Sequence, residues 1–114
     1  MSARNTREAW EQFWVRVDAE TKAEKLSQAA LFELSQYYRS LQVIERQTID
    51  ALLGEWVLSD NESKRFDALA LIDEHRISSA LPALEELRRR LDKSRGPGAS
   101  FEKAKVERIV ASLT

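Results

Sequence analysis

The sequence predicts an all-α fold: a right-handed stack of about three antiparallel helix pairs, six helices in all, as one domain spanning residues 1–114. Three observations lead there. Apolar residues recur at helical spacing in six successive stretches. Glycine and proline number only 3 and 2, too few to turn a β-rich chain, whereas long helices need little of either. The fourth and sixth stretches also echo one another about forty positions apart.

The first helix is expected over residues 6–18, where Trp10, Phe13, Trp14 and Val17 fall at i, i+3, i+4 and i+7 to make one stripe. These aromatics read as core, because a terminal hairpin must pack on the next one. Thr21 and Glu24 form a capping box that opens the second helix. Its apolar face carries Leu26, Ala30, Leu34, Tyr37, Tyr38 and Leu41. Tyr37 and Tyr38 are adjacent and cannot share one face, so one of them should reach the surface. The third helix starts between Ser40 and Ile44 and carries Ile49, Leu52, Leu53, Trp56 and Val57. Gly54 within it costs about 1 kcal/mol against alanine, which suggests close approach of a neighbouring helix.

Ser59 and Glu62 form a second capping box, opening a fourth helix that ends near His75. Ala68, Leu69, Ala70, Leu71 and Ile72 are consecutive there, so apolar side chains project around most of its girth and the helix should be enclosed. Ser78 or Ser79 caps the fifth helix, with Pro82 in the first turn where its missing N–H is harmless. Leu81, Leu84, Leu87 and Leu91 then recur at helical period. Residues 94–100 form the only Gly/Pro-rich loop. The sixth helix covers 101–113, with Val106, Ile109, Val110 and Leu113 on its face. The pairs are then approximately 6–41, 42–75 and 78–113.

Shifting the fourth helix by forty places lays Glu62 on Glu102, Arg65 on Lys105, Phe66 on Val106, Asp67 on Glu107 and Leu69 on Ile109. A two-helix period near forty lies in the HEAT/armadillo range. The run 59–91, with Glu62-x-x-Arg65-x-x-Ala68-Leu69 and then Ala80-Leu81-Pro82-Ala83-Leu84, resembles the HEAT-like repeats of the bilin-lyase type, in a small bacterial stand-alone form. The likeness covers residues 56–113. It implies an α-solenoid in which stacked pairs bury what a single pair cannot. It implies no lyase activity. Where such repeats carry a glycine-containing turn between units, this chain has His75-Arg76-Ile77-Ser78.

With no cysteine, disulfides, thiolate nucleophiles and Cys-ligated metals are excluded. Residues 1–8 lack the apolar core of a secretory signal, and no run approaches the ~18 apolar residues of a membrane helix. A cytoplasmic location without membrane association is expected by elimination. The net charge of −1 argues against a dedicated nucleic-acid binder.

No catalytic, cofactor-binding or metal-ligating residue is assigned. Asp73, Glu74 and His75 are adjacent, and neighbours on a helix point about 100° apart rather than at one ion. A histidine at a helix C-terminus needs no further role. Glu85-Glu86 and Asp18, Glu20 and Glu24 fall on faces expected to be wet, unsuited to lifting a carboxyl pKa for acid catalysis. Gly96-Pro97-Gly98 lacks the Lys and Ser/Thr of a phosphate loop. Arg88, Arg89, Arg90, Lys93 and Arg95 make one basic cluster, which the helix dipole largely explains.

The remaining candidate is the face shared by the second helices of successive pairs. Glu62, Lys64, Asp67, Glu102, Lys103 and Glu107 are the candidate partner-binding residues, with Arg108 among them. They read as an acidic ladder that would steer a basic partner. The function expected is a non-enzymatic protein-interaction module, of the immunity type that binds and neutralises a bacterial toxin domain. A scaffold or adaptor subunit is the alternative, or a nucleic-acid binder using the cluster within 88–95.

Overall fold

The computed structural model describes residues 3–24 and 27–114. Among them are six α-helices and no strand: α1 (Ala3–Glu24), α2 (Ser27–Ser40), α3 (Val43–Val57), α4 (Glu62–His75), α5 (Leu81–Lys93) and α6 (Ala99–Leu113). A single 3-10 turn, Ser78–Ala80, precedes α5. The chain divides into two compact units, Met1–Leu52 and Leu53–Thr114, with the boundary inside α3.

In the first unit α1 packs against α2. Trp10, Trp14 and Val17 are buried from one side, and Ala30, Leu34 and Tyr38 from the other. Tyr37 completes the contact, edge-on to Trp10 with centroids 5.5 Å apart and tilted over Phe13 at 4.6 Å. The adjacent tyrosines do diverge: Tyr38 is buried and Tyr37 only half so. Tyr38 donates its hydroxyl hydrogen to Asp50 Oδ1 at 2.7 Å, tying α2 to the first half of α3. Burial, then that hydrogen bond, push the phenol well above its ordinary range.

The first helix is longer than its apolar stripe. It runs on to Glu24, so Thr21 lies inside α1 and opens nothing. Ala19, Glu20, Lys22, Ala23 and Glu24 are good helix formers with no Gly or Pro among them, and a cap residue does not stop a helix already propagating. The expected place of Leu26 on the second helix falls outside the described residues. At the start of α3 the cap is Gln42, whose N–H is met by Glu45 Oε1 at 3.0 Å, the reciprocal half of a capping box.

In the second unit α4 is enclosed as its composition requires: Ala68, Leu69, Leu71 and Ile72 are buried, and Ala70 is half-buried. Its cap is Asn61 rather than Ser59. Asn61 Oδ1 accepts from the Lys64 N–H at 3.1 Å, and Ser59 Oγ instead accepts from the Asn61 N–H at 3.0 Å. The hydroxyl forms the turn before the cap, and the amide makes the cap.

α4 ends at Arg76, whose φ of 53° is left-handed. The Arg76 N–H and the Ile77 N–H both reach Ile72 O, and Ile77 is buried below the turn. This is a Schellman ending with arginine where glycine is usual. The Arg76 guanidinium donates to Ser112 O at the far end of α6, one of the carbonyls that a helix C-terminus leaves open.

α5 begins at Leu81, with Ser78 and Ser79 spent in the 3-10 turn and no side-chain cap at Ala80. α6 begins at Ala99, two residues before the expected start, because Gly98 at φ 81° turns the chain directly into it.

Candidate functional site

Three links fix how α4 and α6 lie in the second unit. Arg65 Nε donates to Glu102 Oε1 at 2.6 Å, Arg108 Nη1 to Asp73 Oδ2 at 3.4 Å, and Arg76 to Ser112 O. The numbers rise together along both helices, so α4 and α6 run side by side in the same direction. α5 must carry the chain back between them. Its 13 residues span about 20 Å at the rise of an α-helix, enough to return from the end of α4 to the start of α6.

The six candidate residues therefore do fall on two neighbouring helices, but not as one ladder. Glu62 is exposed in the first turn of α4. Lys64 turns the other way and sits 5.0 Å over the Trp56 ring. Asp67 is 7% exposed and so is no rung of a surface ladder. Glu102 is engaged by Arg65, both side chains being about three-quarters buried, and Arg65 Nη1 also donates to Ser59 O at 3.1 Å. Lys103 points to α5 and meets Asp92 at 2.5 Å, which holds that carboxyl below its usual range and raises the lysine. Glu107 is exposed on the same flank, near Lys103.

The forty-residue echo is correct for Leu69 and Ile109, both buried, and fails for its neighbours. Val106 is fully buried where Phe66 is 47% exposed, and Glu107 is exposed where Asp67 is buried. The face that α4 turns to solvent is thus rotated from the one the alignment assigned.

What the two helices present together is aromatic. Phe101 is 84% exposed on α6 and Phe66 about half exposed on α4. Lys105 Nζ lies 4.3 Å above the Phe66 ring, one turn beyond Phe101 on α6. Partial burial, and then the neighbouring Arg108, lower the Lys105 pKa. Ala104 is exposed beside Phe101, and half-buried Ala70 lies one turn beyond Phe66. Sequence reasoning missed Phe66 because the echo matched it to a core valine. It missed Phe101 by treating that residue only as the helix start.

Three arginines of the basic cluster meet carboxylates on their own helix. Arg88 meets Glu85 at 3.0 Å, while Arg89 and Arg90 meet Glu86 at 2.6 and 3.4 Å. Those arginines hold Glu86 below the ordinary carboxylate range. No group of three metal-capable side chains converges among the described residues, and no described helix is long and apolar enough to cross a membrane. His75 lies in the last turn of α4, 3.9 Å from Glu74. Comparison with protein-family models, with curated proteins and with solved structures finds no match to this chain.

Proposed function

We propose that this chain is a non-enzymatic protein-interaction module that binds through the α4–α6 face. One observation carries the reading: Phe66 and Phe101 stand exposed on adjacent parallel helices with Lys105 beside them. Clustered exposed aromatics rimmed by polar groups are what protein interfaces are built around. The face is also held rigidly, because Arg65–Glu102, Asp73–Arg108 and Arg76–Ser112 tie the two helices at three levels. A surface ordered before binding loses little entropy on binding. The parallel course of α4 and α6, with α5 returning between them, supports the HEAT-like stacked-pair reading.

Within this class we favour an immunity-type protein that masks a toxin, for which a small rigid face without reactive groups suffices. The test is affinity purification with the full chain as bait, beside a Phe66→Ser/Phe101→Ser double variant. The expected result is one stoichiometric partner that the wild type retains and the variant loses, and whose toxicity co-expression of the wild type relieves. A partner held equally by both baits would overturn the assignment of the face. Salt-dependent retention on DNA without any protein partner would overturn the class.

A further inference from the structure

We infer that the α4–α6 face takes an amphipathic helix of the partner protein, lying antiparallel to both helices and carrying an acidic residue two turns ahead of a basic one. The inference rests on the reading of that face as an interaction surface and names the element that occupies it. Two charges of opposite sign border the exposed rings. Glu62 is exposed one turn before Phe66 on α4, Lys105 lies over Phe66 from α6, and neither has an ion-pair partner among the described residues. Across the gap between the helices, Arg65 is matched with Glu102 and Arg108 with Asp73. The charges left beside the rings for a partner to meet are thus one carboxylate and one ammonium.

The register of the two helices sets the spacing that a partner must match. The three hydrogen bonds between α4 and α6 join residues 35 to 37 positions apart. On that register Phe101 stands level with residues 64–66, beside Phe66, and Lys105 level with residues 68–70. Glu62 and Lys105 are therefore about 9–12 Å apart along the common axis at 1.5 Å per residue, with both rings between them. On a single helix, residues i and i+7 lie about 10.5 Å apart on one face, with i+3 and i+4 between them. A partner helix with one charge at i, apolar residues at i+3 and i+4 and the opposite charge at i+7 meets all four points at once. That is the pattern by which helices anchor in grooves.

Two dipole arguments give its direction, and they agree. α4 and α6 both begin at the Glu62 end, so their positive ends lie together there, and an antiparallel helix sets its negative C-terminal end against them. Laid that way, the partner meets Lys105 with an acidic residue toward its own N-terminus and Glu62 with a basic residue toward its C-terminus. A helix favours the same placement for its own charges. Ala104 and Ala70, on the same face, carry no long side chain to hold a third helix away.

The experiment titrates the full chain into three fluorescent synthetic peptides and reads anisotropy, with circular dichroism on every variant. The first peptide is a stapled helix with glutamate at i, leucines at i+3 and i+4 and arginine at i+7, in an alanine and glutamine background. The second exchanges the glutamate and the arginine. The third is the first without its staple and with proline at i+5. The first should bind about tenfold more tightly than the second, in which two attractive surface pairs become repulsive, and the third should not bind. The double variant Glu62→Lys/Lys105→Glu should reverse the preference between the first two. Phe101→Ser should weaken the first peptide about tenfold, while Phe32→Ser, at an exposed aromatic of the first unit, should leave it unchanged. Equal binding of the first two peptides, a preference that the charge exchange does not reverse, binding of the proline peptide, or no binding at the highest soluble concentration overturns the inference. A protein partner still captured through Phe66 and Phe101 would then leave the proposed function standing and remove only the helix as occupant.

Discussion

Gly54 offers a direct measure of whether the packing of the second unit is understood. It sits in the body of α3, half-buried, and a Cβ placed on it would find only the Ala83 Cβ at 3.9 Å, an ordinary contact. The close approach that the sequence suggested as the reason for glycine is not tight enough to require it. Gly54→Ala should therefore gain most of the difference in helix propensity, about 0.5–1 kcal/mol, chiefly by narrowing the unfolded ensemble. For a chain of this length that corresponds to a rise of about 2–4 °C in Tm. Urea unfolding monitored by circular dichroism would show the midpoint moving up with the slope unchanged. A loss of stability would mean that α3 and α5 lie closer than 3.9 Å implies, and would refute the reasoning.

Named contacts set three further outcomes. Arg76→Ala should cost about 1 kcal/mol through the lost bond to Ser112 O, while Arg76→Gly should come out near neutral because glycine relieves a left-handed conformation worth about 1 kcal/mol; paired urea curves separate the two. Tyr38→Phe should destabilise by about 1–2 kcal/mol by removing the donor to Asp50. The raised Tyr38 pKa gives stability that is complete below about pH 10 and declines above it, because the unfolded phenol ionises first. Wild type should therefore lose stability more steeply than Tyr38→Phe between about pH 10 and 12, as pH-dependent thermal melts would register. Arg65→Ala should cost about 1–3 kcal/mol, since it leaves Glu102 part-buried without its cation and Ser59 O without its donor; Arg65→Lys should recover only part, lacking the fork that serves both.

Helix number, helix type and most of the core were legible because they depend on local periodicity. Trp10, Trp14 and Val17, Leu52 and Leu53, and the run around Ala68 are buried as their spacing requires. Helix ends were less legible, for two reasons. Thr21 carries the right chemistry for a cap but lies amid residues that favour continuing the helix. Ser59 and Asn61 both offer an acceptor to the same turn, and Asn61 lies the right number of residues before Lys64. Arg76 could not have been read as the left-handed terminator, because its justification is a carbonyl 36 residues away.

The charge of the candidate face shows where reading along one helix stops working. Taken along α4 and α6 separately, the carboxylates form a row that invites a basic partner. Once the helices lie parallel, Glu102 falls opposite Arg65 and Asp73 opposite Arg108, so the row is broken across the gap while Glu62 and Glu107 stay exposed. Asp67 has meanwhile rotated inward. The unmatched groups on the aromatic side are then one carboxylate, Glu62, and one ammonium, Lys105, on either side of a phenyl ring. A face with that balance has no net preference for a polycation, and its selectivity must come from where the two charges stand. Raising ionic strength should accordingly weaken partner binding only modestly, because few charges change neighbours on association. A steep salt dependence would instead restore the acidic row as the recognition element.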